Sequence, residues 1–343
     1  AAASGFVQNG WDWNRVPGAT TIHLPWAELN NPLPGTLMER NPERFSGASS
    51  LEGQNGVLAL HFVEGSRKNF TPGATAYKTI FCFDNRLVFL GSGIDNNNTT
   101  YPTETTLFQL QLADRGEALE VDGEIYDTFP LQLSKGGERL AISDTKGNFY
   151  MVKNAGVLNV TKQEQSSPND KTHAMQTGDF ATAWIDHGRA PKQAGYEYVV
   201  YIQPTNKEIN RLLKKDEYEV LRRDNTAHVV KDLPTGITGY VCFGAYEGDG
   251  LVRRVSEETI VMERTLADGQ VVMSVCTPDL GLTEKTYTTR QESQPIEKEV
   301  RLSGVWELAT PAAGVELAPA DAETVLKVTC RHGQPVEFRL KKK

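Results

Sequence analysis

Tyr77-Lys78-Thr79-Ile80-Phe81-Cys82-Phe83-Asp84-Asn85-Arg86-Leu87-Val88-Phe89-Leu90-Gly91 reads as a β-hairpin. Two apolar, β-prone runs flank the turn formers Asp84-Asn85-Arg86. Ile80-Phe81-Cys82-Phe83 carries no polar break and predicts a buried strand. That reading sets the class of the whole chain, because the same rhythm continues downstream. Thr105 to Leu112 alternates as a strand should. Further short strands are expected near 119–121, 138–142, 148–152, 157–161, 180–186 and 195–202. Turns such as Asp122-Gly123, Lys135-Gly136-Gly137 and Lys146-Gly147-Asn148 separate them. Tyr218 to Leu221 and His228 to Val230 are strand-like, and strands resume at 237–243, 259–263, 270–276, 298–302, 324–329 and 335–340. Many short strands at regular spacing predict an all-β antiparallel sandwich.

Upstream of the hairpin, Thr20 to Leu24 is a short β-prone run closed by Pro25, and Asn30 to Gly35 is a loop of turn formers. Arg40 to Gly56 reads as a polar, glycine-containing loop that feeds the apolar run Val57-Leu58-Ala59-Leu60-His61-Phe62-Val63. A second polar loop, 64–75, holds Arg67-Lys68-Asn69-Phe70. One helix is expected, Thr205 to Lys215. Thr205 and Glu208 stand at capping-box spacing, and Ile209, Leu212 and Leu213 form its apolar face. A boundary is placed near residue 228, between a large β domain, 1–228, and a smaller C-terminal β domain, 229–343.

The chain has 343 residues, 39% hydrophobic and 23% charged, enough to bury a sizeable core. Its net charge of -8 argues against a nucleic-acid partner, which wants a basic face. No apolar run approaches the roughly 20 residues of a membrane span. Ala1 to Gly5 lacks the basic and apolar segments of a signal peptide. Cys82, Cys242, Cys276 and Cys330 form no CxxC pair, so no metal knot is expected and free core thiols are; a disulfide stays open in an oxidising compartment.

Several groups could carry chemistry. Glu52 sits where the polar stretch meets the strand. It could cap a turn, or it could hold an arginine or tune a general base. Gln54 and Asn55 could hydrogen-bond sugar hydroxyls or close the loop. Arg40, Arg44, Arg67 and Lys68 could form a basic rim for carboxylate or sulfate groups, or stay solvated. Asp186-His187 invites a triad, but no Gly-x-Ser-x-Gly elbow accompanies it, so a turn with a satisfied histidine is the simpler reading. His23 and His61 read as structural and His173 as exposed. Asp95-Asn96-Asn97-Asn98 is oxygen-rich but lacks the EF-hand frame for calcium. Asn69-Phe70-Thr71, Asn97-Asn98-Thr99 and Asn159-Val160-Thr161 match glycosylation acceptors weakly. No metal or cofactor is assigned.

Ordered blocks then point to a family. Trp13-Asn14-Arg15-Val16-Pro17-Gly18-Ala19-Thr20-Thr21-Ile22-His23-Leu24-Pro25 resembles the start of the β region of polysaccharide lyase family 8. Phe45 to Gln54, Lys78 to Asn85, Leu90 to Ile94, Thr105 to Gln109, Trp184 to Gly188 and Tyr196 to Val200 continue the resemblance in order. The spacing is most similar to that of the chondroitin sulfate ABC lyases. The resemblance implies a mutarotase-like supersandwich followed by a smaller β-sandwich. It implies β-elimination on a uronic acid of chondroitin or dermatan sulfate, with hyaluronan as a further candidate substrate. A base takes the C5 proton, the 4-linked oxygen leaves, and an unsaturated uronide remains. In the family a helical toroid supplies His, Tyr and Arg, and the β part supplies a Glu. Glu52 matches that Glu, so the other three groups are expected outside this chain, which alone should be inactive. The implied partners are a sulfated glycosaminoglycan and the helical N-terminal portion. The implied setting is secreted or periplasmic, in a bacterium. Two other readings are a non-catalytic carbohydrate-binding or structural β module and a mutarotase-like sugar enzyme, the latter on fold analogy alone.

Overall fold

The computed structural model describes residues 6–29, 42–64, 73–282 and 292–343. The chain divides into two compact units. The first comprises residues 1–41, 63–75 and 93–214; the second comprises 42–62, 76–92 and 215–343. The expected all-β, antiparallel class is borne out.

In the first unit the antiparallel order runs Thr20–Ile22, Pro102–Gln111, Met175–Arg189, Phe149–Pro168, Ala194–Tyr201. Leu131–Ser143 also pairs with Phe149–Pro168. The runs expected near 148–152 and 157–161 are one 20-residue strand, Phe149–Pro168. A register shift between Ala155 and Leu158 in its pairing with Leu131–Ser143 absorbs the break that the sequence suggests. Phe108, Tyr150, Phe180, Tyr196 and Tyr198 fill the core. Strand Pro102–Gln111 is buried on both faces from Thr103 to Leu110, so its polar residues must find partners inside the protein. The helix is confirmed and shorter, Asn206–Leu212, with both hydrogen bonds of the Thr205/Glu208 capping box present. A four-residue helix, Trp26–Leu29, was not anticipated; without a full apolar stripe it gives no periodic signal.

In the second unit a seven-stranded sheet has the order Tyr218–Arg223, Ala227–Asp232, Ile237–Cys242, Thr259–Thr265, Val271–Cys276, Val336–Lys342, Trp306–Leu308. A five-stranded sheet has the order Tyr246–Glu247, Val252–Val255, Ile296–Ser303, Glu323–Cys330, Val315–Ala320. Val229, Tyr240, Val261, Met273, Val300, Leu326 and Phe338 belong to one buried cluster shared by both sheets. The four cysteines are free; Cys242, Cys276 and Cys330 are buried, and burial pushes their thiols up to about 12, 12 and 11.

The Tyr77–Gly91 hairpin is present as strands Thr75–Phe83 and Arg86–Asp95. Its turn is Asp84-Asn85, with Asp84 at φ 46°, a left-handed conformation that Asp tolerates. Arg86 therefore belongs to the strand. It is 5% exposed, donates to Asp232 Oδ1 at 2.8 Å through Nε, and donates to Glu217 Oε2 at 2.8 Å through Nη1.

The polar stretch at 40–56 is not all loop. Ser46–Leu51 is a strand paired with Asn55–Val63. Its small residues, which read as loop, are what close packing demands. A Cβ on Gly47 would come within 2.8 Å of Pro278 Cα, and Ser49 Oγ lies 3.3 Å from Ser274 Oγ.

Candidate functional site

Glu52 opens the turn Glu52-Gly53-Gln54 that joins those two strands. Its φ is 54° and that of Gly53 is 67°. A left-handed glutamate is uncommon, costs about 1–2 kcal/mol, and needs outside support. Two distant residues of the same unit supply it. The Glu52 N–H donates to Glu337 Oε2 at 2.7 Å, and the Glu52 carboxylate pairs with Arg264 Nη2. Arg264 lies on Thr259–Thr265 and Glu337 on Val336–Lys342. The carboxylate is partly exposed, and Arg264 Nε has no hydrogen-bond partner among the described residues. Glu52 thus fixes the direction of a guanidinium. Next to Arg264, Glu263 is buried, and burial pushes its carboxyl up to about 7.

The neighbouring candidates have different surroundings. Gln54 is exposed. Asn55 is 9% exposed, and its Oδ1 accepts from the Asp84 N–H at 3.2 Å. Arg44 is exposed and lies 3.4 Å from Asp279 Oδ2. Arg40, Arg67 and Lys68, and the Asn69-Phe70-Thr71 tripeptide, fall outside the described residues.

His61 stacks on Tyr77, ring centroids 4.1 Å apart, with Glu43 Oε2 3.6 Å from its Nδ1. Burial lowers its pKa, and Glu43 opposes that shift. Asp186 and His187 make no triad. Asp186 Oδ1 accepts from the Gly188 N–H at 2.7 Å, and His187 Nε2 lies 2.8 Å from Thr105 Oγ1. In the Asp95–Asn98 loop an ammonium holds the oxygens: Lys192 Nζ donates to Asn96 O at 3.0 Å and to Asn97 Oδ1 at 2.9 Å. Among the described residues no group of three or more His, Cys, Asp or Glu could hold a metal ion.

The first unit holds a charge network that sequence reading missed. Glu104 accepts from Arg15 Nε at 3.0 Å, and its Oε2 lies 2.8 Å from His23 Nδ1. Asp12 lies 3.4 Å from both Arg15 and His23. The Arg15 guanidinium carbon stacks 3.5 Å from the Trp184 ring centroid. Burial would raise the Glu104 pKa, but the hydrogen bonds from His23 and Arg15 prevail and hold it below the usual carboxylate range. Arg15 and His23 both fall in the Trp13–Pro25 block that carries the family resemblance, but His23 reads there as structural, and Glu104 is 89 residues from Arg15.

The fold and site together define a class: an all-β, antiparallel chain that carries a supported, partly exposed carboxylate at a hairpin tip. A family model described as polysaccharide lyase family 8, super-sandwich domain, matches residues 7–213. The chain belongs to that family. It is 36% identical to the chondroitin sulfate ABC endolyase of Proteus vulgaris over 98% of this chain and 33% of that protein. It is 33% identical to the chondroitin sulfate ABC exolyase of the same organism, over 91% of this chain and 33% of that protein. The chain spans about a third of the length of these relatives. A Paenibacillus xanthan lyase structure superposes with TM-score 0.77 at 20% identity, covering 96% of this chain and 31% of that one, which speaks for the fold. Among the described residues no helix is long and apolar enough to cross a membrane.

Proposed function

We propose that this chain is the β portion of a lyase that cleaves chondroitin or dermatan sulfate by β-elimination at uronic acid. The single observation that carries the proposal is the 36% identity to a chondroitin sulfate ABC endolyase over nearly the whole chain. Glu52 is the residue this portion contributes. The C5 proton beside a carboxylate is weakly acidic, so its removal needs charge neutralised on that carboxylate and a base in reach. A carboxylate that orients a guanidinium serves the first need by charge-assisted pairing. In the structure Glu52 pairs with Arg264, so on this reading Arg264 is a guanidinium it aims in addition to the Arg that the helical portion brings. The His, Tyr and Arg that act on substrate come from a helical portion, and substrate-binding roles fall to Gln54, Asn55, Arg44, Arg67 and Lys68. The setting is the outside or the periplasm of a bacterium.

The test combines this chain with a separately made helical portion and follows the absorbance of the unsaturated uronide. The chain alone is expected to be inactive and the mixture active. Glu52→Gln is expected to lower kcat/KM on the order of a hundredfold, the cost of a misaimed group, while shifting stability by less than about 1 kcal/mol because the pair is partly solvated. Unchanged elimination by Glu52→Gln would remove Glu52 from the site.

A further inference from the structure

In the second unit the seven-stranded sheet has two unlike faces. Val261, Val271, Met273, Phe338 and Leu340 turn to the shared buried cluster. Alternation along the strands turns Met262, Arg264, Val272, Ser274, Glu337 and Arg339 the other way. The hairpin Ser46–Val63 lies on that second face, where Ser49 Oγ meets Ser274 Oγ and the Glu52 N–H meets Glu337.

Register fixes what stands beside the hairpin tip. Arg264 is the cross-strand partner of Val272, and Val272 is the partner of Arg339. The two arginines therefore share one row, with Cα atoms two strand spacings or roughly 10 Å apart. Along its own strand Arg339 is two residues from Glu337, whose Oε2 accepts from the Glu52 N–H at 2.7 Å. A guanidinium at that position flanks Glu52 on the same face.

The cations beside the tip differ in what they hold. Arg264 pairs with the Glu52 carboxylate, and Lys341 Nζ lies 3.1 Å from Glu307 Oε1. Arg339 is exposed, and its side chain has no ion pair or hydrogen bond among the described residues. A free planar fork is suited to bidentate capture of an oxyanion. The sequence adds to its pull: Arg339, Lys341, Lys342 and Lys343 make a local basic stretch in a chain of net charge -8. We infer that Arg339 is a substrate-binding residue beside Glu52, its guanidinium pairing with an oxyanion of the glycosaminoglycan, a sulfate or a uronate carboxylate. This rests on Glu52 serving the elimination and adds the group that recognises the charge of the polymer.

Titration calorimetry of the 343-residue chain with hexasaccharides of chondroitin 4-sulfate and of unsulfated chondroitin tests it. Saturable binding of the sulfated glycan is expected. Arg339→Gln should weaken it about tenfold, and Arg339→Lys, which keeps the charge without the fork, should weaken it less. Arg189→Gln removes the same charge from an exposed position of the first unit and should leave the binding unchanged. A loss confined to the sulfated glycan assigns the sulfate, and an equal loss on both glycans assigns the carboxylate; either supports the inference. With the helical portion added, Arg339→Gln should raise KM about tenfold with kcat unchanged, the mark of binding lost equally from ground and transition states. Elimination lost in Glu52→Gln with KM unmoved in Arg339→Gln would leave the role of Glu52 standing and remove Arg339. Binding that depends on Arg339 in chains that do not eliminate would do the reverse. No binding of either glycan, parental affinity in Arg339→Gln, or an equal loss in Arg189→Gln would overturn the inference.

Discussion

The two hairpins Ser46–Val63 and Thr75–Asp95 differ in how their tips are held. The second is anchored through the body of its strands. Arg86 reaches Asp232 and Glu217, and Thr79 Oγ1 and Ser92 Oγ flank the His228 ring at 2.9 and 3.0 Å. Its tip, Asp84-Asn85, adopts a conformation that aspartate accepts on local grounds. The first hairpin is held through its body too, where Ser46 N–H donates to Pro278 O at 3.2 Å and Ser49 meets Ser274, but it is also anchored at its tip. Glu52 takes a conformation that glutamate seldom adopts, and it is kept there by Glu337 and Arg264, 285 and 212 residues away in sequence. A tip that long-range bonds hold against its own preference stores strain that the rest of the unit supports, whereas a tip that local chemistry satisfies stores little.

The largest effect should come from breaking the body anchor. Arg86→Met leaves Asp232, which is fully buried, without its cation. Removing one partner of a buried pair costs about 3–5 kcal/mol, so the urea midpoint should fall by a correspondingly large amount. A loss below about 1 kcal/mol would mean that the body anchor is not what holds this hairpin.

A smaller effect should follow pH at the same hairpin. Burial holds the His228 pKa down at about 3. The unfolded chain therefore takes up this proton first as pH falls. Stability from this group is complete above pH 6.5 and is lost progressively from 6.5 towards 3. His228→Gln keeps side-chain hydrogen-bonding groups without the titration. Its stability relative to the parent should improve by about 1–3 kcal/mol between pH 7 and pH 4. Glu263 works in the other sense: its raised value, about 7, gives stability that is present below pH 4.5 and is lost as pH rises to 7. That contribution is common to both proteins and cancels in the difference. Parallel pH-stability curves would show that His228 is not buried neutral.

The smallest stability effects should come from the tips, and there the comparison is sharpest. Asp84→Gly and Glu52→Gly should each shift stability by less than about 1 kcal/mol, since relief of the left-handed backbone offsets the interactions the side chain gives up. Only Glu52→Gly should lower elimination by the combined chains. Equal losses of activity from both substitutions would erase the distinction drawn between the two tips.

Sequence alone reads the second hairpin well because its signals are local: apolar runs, turn formers and a sharp break. The capping box at Thr205 and Glu208 is visible for the same reason. Strand Ser46–Leu51 is not, because its serines and glycine answer to Pro278 and Ser274, more than 220 residues on. Arg86 reads as a turn residue because a cation beside Asp84-Asn85 suits a turn, and its buried partners Glu217 and Asp232 lie beyond any local window. Glu52 is visible through family resemblance, and without it the residue reads more readily as structural, a turn cap. Arg264 and Glu337, which give Glu52 its geometry, carry no sequence mark at all.

The second unit draws on residues 42–62 and 76–92 as well as 215–343, and this has a consequence in time. On a ribosome moving at about 5–20 residues per second, Arg86 emerges roughly 7–30 seconds before Asp232, 146 residues later. For that interval an apolar hairpin with a bare guanidinium waits for the sheet that will cover it. Such a nascent chain is a natural client for chaperones, and its yield should respond to translation speed more strongly than its final stability would suggest.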